Sequence, residues 1–344
     1  MAGMFPVTLI KEPEAAALYT IHSLDFTLNT GDAFVVCDAG GGTVDLISYE
    51  VVGVKPNLQL KELVPGTGCM AGSLGLNQRF VEAVKNLVGV DQFQELRKAK
   101  GLSHAQKTFD QDIKKSFRGK PEEEHFVNFP MASLDDMPHA GLVSNTWKMT
   151  GRDLKNIFSP IVNDILRLIS DQVKSVELKR PNQGITGSSW LIQVLQPGDA
   201  WAAVAKGAAL SILPQRAVVV STLSTKHYGV EAREGVDDVL DAGQPTMKLL
   251  DGTTRVEKMT WFVGIGEDFH RDQEVKFSFF VKLRANYQPS DLTRQVDLIE
   301  CNDFIAPRYY SKGRQIRTDC TLTVNLQYIK KEDPEEKKDQ DDLP

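Results

Sequence analysis

The 344-residue sequence has little cysteine, little net charge and no long apolar run. Its four cysteines are scattered through the chain, in neither disulfide nor zinc-site spacing. A net charge of −6 argues against nucleic acid as a partner, because nucleic-acid binding needs a broad basic face. No apolar run approaches the ~20 residues that cross a bilayer, and the first ten residues lack a basic leader. We therefore expect a protein without membrane or secretory segments, in the cytoplasm or the nucleus.

Common catalytic motifs are also absent from the sequence. It contains no Gly-x-Ser-x-Gly, no His-Glu-x-x-His and no Walker lysine loop, and its six histidines are isolated. The composition, 41% hydrophobic and 25% charged, is that of a soluble globular protein with room for one large domain or two ordinary ones. Any chemistry must therefore come from a less common constellation.

The most informative stretch is a glycine-rich segment between two apolar runs. The run Phe34–Cys37 predicts a buried strand, with Cys37 as a small buried hydrophobe, and the β-branched run Val44–Val51 predicts a second strand. Between them stand three consecutive glycines, residues 40–42, which permit positive φ and bring successive N–H groups towards an anion.

Two side chains extend this interpretation of the glycine segment. Thr43 adds a hydroxyl donor, and Asp38 stands where the first strand ends, the edge at which α/β sheets place ligands. A carboxylate beside a phosphate-sized loop indicates Mg²⁺, which is bound by few carboxylates together with water and phosphate oxygens. The alternative is a purely structural glycine hairpin with acidic ends.

The segment upstream supports the first interpretation. The residues from Glu12 to Leu18 read EPEAAAL and precede the glycine loop by one helix length. In combination, the two motifs resemble the second phosphate-binding region of the actin-like ATPase fold. More narrowly, they resemble the 70-kDa heat-shock chaperone family in its divergent large eukaryotic branch.

That resemblance implies ATP or ADP with Mg²⁺ as cofactors, and unfolded or peptide clients and co-chaperones as partners. It implies that Gly40, Gly41, Gly42 and Thr43 hold phosphates. Asp38 would act as a catalytic residue that positions the metal through water. Glu12 would be the second catalytic residue, orienting the metal shell or the attacking water.

Three later segments add candidates. Gly72 opens a segment that resembles the next phosphate-side loop of the family. Lys114 and Lys115 correspond to a basic pair that reaches adenosine in the family, with a solvated lysine face as the alternative. Asp199 begins a small-residue helix resembling the last helix of the ATPase lobe, for which helix packing is the alternative role.

A competing dinucleotide pattern, Gly66-x-Gly68-x-x-Ala71, is weak. No second strand ending in an acidic residue follows about 20 residues later, as that fingerprint requires.

Parts of the family pattern are missing. The first phosphate loop and its lysine do not occur, and the adenosine-binding double glycine is not found around 178–190. The chain therefore resembles an N-terminally truncated member, for which we expect weak ATP binding and impaired hydrolysis. The alternatives are a non-catalytic protein-interaction module, as in a degenerate pseudo-ATPase, or a truncated gene product.

The predicted fold class is α/β, with a partial actin-like (ribonuclease H-like) nucleotide-binding domain over residues 1–212. A β-rich C-terminal domain is expected over 213–329, because strand-like runs such as Val275–Val281 and Cys320–Leu326 follow one another there. Residues 330–344 are charged and lack hydrophobes, which predicts a disordered tail.

Overall fold

The computed structural model describes residues 9–23, 28–181, 194–213, 218–249, 252–271, 273–277, 286–311 and 315–326. These residues form a mixed α/β structure with several sheets, which confirms the predicted class at that level. The chain divides into two compact units, Met1–Ser221 and Thr222–Pro344. The predicted tail at 330–344 and the region around 184–190 lie outside the described residues.

The first unit alternates helices with short strands. In chain order its elements are α1 (Glu12–Ser23), β1 (Ala33–Ala39), β2 (Val44–Gly53), β3 (Gln59–Glu62), β4 (Thr67–Cys69), α2 (Ser73–Lys98), α3 (Lys100–Thr108), a π-helical turn (Phe109–Ile113), α4 (Lys114–Ser116), β5 (Glu124–Asn128), β6 (Leu142–Val143), β7 (Thr146–Thr150), α5 (Gly151–Lys179), α6 (Ala203–Ser211) and β8 (Val218–Leu223).

One sheet of this unit carries the glycine segment. Its strands run in the order β1-β2-β3-β8, with β4 beside the start of β2. Strands β1, β3 and β4 pair antiparallel with β2, and β8 pairs parallel with β3. The core beneath it contains Tyr49, Val51, Leu60 and Val219, with Ala17 of α1 packed against them.

Strand β1 differs from the expectation. Cys37 is exposed and Phe34 only half-buried, so the prediction of a buried strand with a buried cysteine is wrong. The physical reason is position: β1 is the edge strand of this sheet in the described chain, with β2 on one side only.

A second core lies among the helices of the same unit. Phe80 of α2 stacks on Phe109 at 4.4 Å between ring centroids, and Trp147 of β7 lies beside them. Helix α5 begins with a capping box in which Thr150 and Asp153 exchange hydrogen bonds, so its first turn is well defined. This core gives α2 and the π-helical turn fixed positions.

The second unit is composed mainly of strands. These are β9 (His227–Gly235), β10 (Thr246–Lys248), β11 (Thr254–Val263), β12 (Asp268–His270), β13 (Thr293–Cys301) and β14 (Ile316–Asn325). Five of them form an antiparallel sheet in the order β10-β11-β9-β13-β14. Of the predicted strand Val275–Val281, the described residues 275–277 are not a strand, and the rest lie outside the described residues.

Across the described parts of the chain, no helix is long and apolar enough to cross a membrane.

Candidate functional site

The glycine segment forms a hairpin loop between β1 and β2. Ala39 pairs with Val44, so residues 40–43 are the loop, and the Gly40 N–H donates to the Thr43 carbonyl at 2.9 Å. The predicted pair of strands joined by a tight turn is therefore present. A hairpin alone does not separate a phosphate loop from a structural turn, since both share this outline.

The loop carbonyls point at the start of α2. The N–H groups of Gly72, Ser73 and Leu74 donate to the carbonyls of Gly42, Gly40 and Gly41 at 3.1, 3.1 and 2.8 Å. The loop thereby satisfies the free N–H groups at the start of this helix. These N–H groups at the N-terminus of α2 therefore bind the loop carbonyls and are not available to a bound anion.

This arrangement fixes where the loop N–H groups point. In a trans peptide the carbonyl and the following N–H lie on opposite sides. Because the carbonyls of residues 40–42 all face α2, the N–H groups of Gly41, Gly42 and Thr43 face the opposite side. Residues 41–43 are exposed, and these three N–H groups have no hydrogen-bond acceptor within the described parts of the chain. Three adjacent donors directed outwards are suited to an anion.

Packing within the protein does not require glycine at Gly41 or Gly42. A Cβ at Gly41 or Gly42 would meet no atom within 4 Å, and neither residue has a positive φ. The positive φ that consecutive glycines permit is therefore not used at these two positions. Neither backbone strain nor internal packing explains glycine at these two positions, whereas close approach by a bound group would.

Gly72 behaves in the opposite way. A Cβ at this position would lie 2.4 Å from the Gly42 carbonyl carbon and 2.5 Å from the Gly41 oxygen. Its lack of a side chain lets α2 approach the loop closely enough for the three hydrogen bonds. The structure thus places this predicted site residue behind the loop, where it supports the loop.

Carboxylates lie at the base of the hairpin. Asp38 and Asp45 are directly paired across β1 and β2, and Thr43 donates its hydroxyl to Asp45 at 2.8 Å. Partial burial, followed by the charges of Glu12 and Asp45, raises the pKa of Asp38 above its ordinary value. Glu12 is therefore close enough to Asp38 to act on it electrostatically.

Asp45 is the residue that the sequence reasoning missed. The sequence could have indicated it. A four-residue loop between paired strands places the second residue after the loop opposite the second residue before it. Mutual repulsion of carboxylates is the electrostatic setting that a cation relieves. In the described part of the chain no group of three or more His, Cys, Asp or Glu side chains is arranged to bind a metal directly.

Of the predicted basic pair, Lys114 contacts the first two turns of α2. Its ammonium contacts Asp110, the Asn77 side-chain oxygen at 3.1 Å and the Ser73 carbonyl at 3.5 Å. Hydrogen bonds from Lys114 and Asn77 lower the pKa of Asp110 below its ordinary value. The Lys115 side chain is exposed.

Asp199 occupies a different place. It accepts a hydrogen bond from the Tyr19 hydroxyl of α1 and forms an ion pair with Lys206 of α6. Helices α1 and α6 approach closely there, since a Cβ at Gly207 would lie 1.7 Å from the Ala15 carbonyl oxygen. These contacts join two helices, as the packing alternative predicts, and the structure gives Asp199 no contact with the glycine loop.

The dinucleotide alternative has a structural explanation. Gly68 lies in β4, and a Cβ there would lie 2.4 Å from the Asp45 carboxylate. At Gly66 the Leu46 carbonyl would be 3.0 Å away. These glycines therefore permit close packing of β4 against β2.

Comparison with known proteins gives two findings. A family model described as a domain of unknown function (DUF8340) matches residues 29–183, a range that includes the glycine loop and Lys114. Heat shock 70 kDa protein 12A of Homo sapiens and that of Mus musculus are each 26% identical to the chain over 311 residues. The alignments cover 79% of this chain and 44% of each relative, so the chain spans less than half of their length. The similarity supports a distant relationship to 70-kDa heat-shock proteins.

Proposed function

We propose that the chain is a nucleotide-binding protein of the 70-kDa heat-shock chaperone type, with an actin-like ATPase lobe. The loop Gly40–Thr43 binds the phosphates of ATP or ADP. The observation that carries this proposal is the set of three outward-facing N–H groups on a loop whose carbonyls are fixed by α2. The distant similarity to heat-shock proteins supports the same interpretation.

The carboxylates supply the metal side of the site. Asp38 and Asp45, with Glu12 nearby, would hold the water shell of Mg²⁺ at the base of the loop. The bound ion would neutralise phosphate charge there and bring nucleotide and loop together. Asp38 would contact the water shell of the metal, and Glu12 would orient a water molecule. The Thr43 hydroxyl fixes the orientation of Asp45.

Binding should nevertheless be weak and hydrolysis close to background. Phosphoryl transfer depends on charge and positioning around the whole phosphate chain. Among the described residues, the glycine loop supplies donors on one side, and Lys114 is already paired with Asp110. We expect a dissociation constant of about 100 µM, because each missing charge-assisted contact weakens binding by about 1.5–3 kcal/mol.

A second candidate function is non-catalytic protein interaction, as in a pseudo-ATPase. Two loops of the second unit expose apolar side chains: Val239 (82% exposed), Leu240 (59%), Phe304 (90%) and Ile305 (78%). The loops are joined where Asp241 pairs with Arg308 at 2.7 Å. Exposed apolar residues on a fixed support are typical of a surface that binds polypeptide clients or co-chaperones.

The first proposal is tested by separating the parts of the nucleotide. Isothermal titration calorimetry should compare Mg-ATP, Mg-pyrophosphate and adenosine on the same protein. If the loop binds phosphates, pyrophosphate and ATP bind with similar affinity and adenosine shows no heat of binding. Binding of adenosine without binding of pyrophosphate would overturn the assignment. No binding of any of the three at millimolar concentration would favour the interaction function.

A further inference from the structure

Hydrogen bonds at both ends of the hairpin show which residues of β1 face β2. At the loop end the Gly40 N–H donates to the Thr43 carbonyl at 2.9 Å, and at the other end the Val51 N–H donates to the Asp32 carbonyl at 2.9 Å. Because backbone groups alternate between the two sides of a strand, the even-numbered residues of β1 bond to β2. The odd-numbered residues direct their N–H and carbonyl groups away from β2, and they are Ala33, Val35, Cys37 and Ala39.

These outward residues form an open edge of the sheet. Within the described parts of the chain, none of their backbone N–H or carbonyl groups has a hydrogen-bond partner. Ala33, Cys37 and Ala39 are also exposed, so this side of the strand is accessible. A row of unpaired backbone groups on an accessible edge is a template on which another strand can pair.

Strand β1 lacks the features that usually protect such an edge. It pairs with β2 in regular register over its whole length, contains neither proline nor lysine, and has Asp38 as its one charged residue. The edge strand β14 of the second unit differs, because it contains Arg317 and Asp319 and its register with β13 shifts at Asp319. Charges and bulges of this kind prevent edge-to-edge association in native proteins. Of these two edges, β1 is therefore the one suited to pairing.

Strand β1 is complementary to a second copy of itself in one register. In an antiparallel pair of identical strands, the outward residues lie opposite one another when the two-fold axis passes through a residue of the strand. An axis at Val36 pairs all seven residues of β1, and Asp38 of each copy then lies opposite Phe34 of the other. An axis at Val35 would place Asp38 opposite Asp32 of the other copy, and like charges directly opposite are destabilising. An axis nearer the loop pairs fewer residues.

We propose that the chain associates with a second copy of itself through β1, in antiparallel pairing with the two-fold axis at Val36. The two strands exchange about eight N–H···O bonds, two at each of the four pairs of outward residues. A typical protein interface contains about 10 ± 5 direct hydrogen bonds, so this pairing is of a size that supports a dimer. The glycine loops, residues 40–43, lie beyond the two ends of the paired strands, so the association does not depend on the proposed phosphate function.

Disulfide trapping in the full chain tests the register. Directly opposite residues that are not hydrogen-bonded to each other have Cα atoms about 4.5 Å apart, a distance that a disulfide spans. Val36→Cys in a Cys37→Ser background should therefore form a covalent dimer on oxidation, above the level of the Cys37→Ser parent. Ala39→Cys in the same background is the matched control, because its two copies would be ~20 Å apart along the paired strands. Cross-linking of Ala39→Cys in place of Val36→Cys would overturn the proposal.

Sedimentation velocity of the full chain measures the association itself, and the unsubstituted chain should form a reversible dimer. Cys37→Pro removes an outward N–H and leaves the bonds to β2 in place, so it should weaken dimerisation by about tenfold or more. Cys37→Ala keeps that N–H and should leave dimerisation unchanged. A chain that remains monomeric at about 100 µM, or a dimer that Cys37→Pro leaves intact, would overturn the proposal. Where thermal unfolding shows that Cys37→Pro does not fold, trapping of Val36→Cys decides alone.

Discussion

A pair of glycine substitutions separates the loop's role in binding from its role in folding. Gly42 and Gly72 face each other across the contact between the hairpin and α2, yet their surroundings differ. A Cβ at Gly42 meets nothing within 4 Å, whereas a Cβ at Gly72 would lie 2.4 Å from the Gly42 carbonyl carbon. Alanine therefore adds the same methyl group to open space in one case and to fixed backbone in the other.

The expected magnitudes follow from this difference. Gly42→Ala should keep or raise the free energy of unfolding by about 0.4–1 kcal/mol, because it restricts the unfolded chain and strains nothing in the folded one. The methyl group would stand beside the outward N–H groups and remove one charge-assisted contact. That loss is worth about 1.5–3 kcal/mol, or roughly a 10- to 150-fold weaker affinity for Mg-ATP.

Gly72→Ala should mainly lower the stability of the fold. Displacing backbone to accept the methyl group costs about 1–3 kcal/mol of stability, or about 2–4 °C in melting temperature for each kcal/mol in a domain of this size. Differential scanning calorimetry and Mg-ATP titration on both variants give the two quantities. If Gly42→Ala melts as the unsubstituted chain does and binds Mg-ATP equally well, the reasoning about outward N–H groups is refuted.

Three further predictions concern other charged and close-packed positions. Asp38→Asn should raise the melting temperature at pH 7 and leave turnover near background, because its raised pKa means that the charged form destabilises the fold. A carboxyl group with a raised pKa lowers the stability of the fold once the pH rises above the ordinary pKa of that group. The higher melting temperature of Asp38→Asn should therefore disappear at pH 3, and a difference that persists there would contradict the raised pKa of Asp38. Gly207→Ala should lower the free energy of unfolding by about 3 kcal/mol, because its Cβ would lie 1.7 Å from the Ala15 carbonyl oxygen. Gly198→Ala has open space around it and should leave that free energy unchanged, and chemical denaturation of both variants measures the difference. Asp241→Asn should lower the melting temperature of the second unit at pH 7. The pKa of Asp241 is held well below its usual range by Arg308 and further hydrogen bonds, so this loss should shrink as the pH falls below about 4, and an undiminished loss there would refute it.

Much of the local structure around the loop follows from the sequence. The glycine hairpin and the helix after Glu12 are found where the apolar runs and Pro13 predict them, because each depends on neighbouring residues. The mixed α/β class follows from the same alternation of patterns. The exposure of Cys37 could not be predicted in this way, since it depends on which strands lie beside β1.

The candidate site shows the same division between local and tertiary information. Asp45 opposite Asp38 could have been predicted from the loop length alone. The direction of the loop N–H groups depends on three hydrogen bonds to α2, about 30 residues later in the chain. The placement of Lys114 depends on a π-helical turn, for which helical periodicity gives no signal. Tertiary contacts therefore determine which of the predicted site residues lie close together.

The proposed function requires that the N–H groups of Gly41, Gly42 and Thr43 bind phosphate. The most direct measurement is a ¹⁵N–¹H correlation spectrum of the chain, with those amides assigned, during titration with Mg-ATP and with Mg-pyrophosphate. These three amide signals should move progressively downfield with both ligands and share one dissociation constant of about 100 µM. Saturable binding that leaves these three signals in place would contradict it.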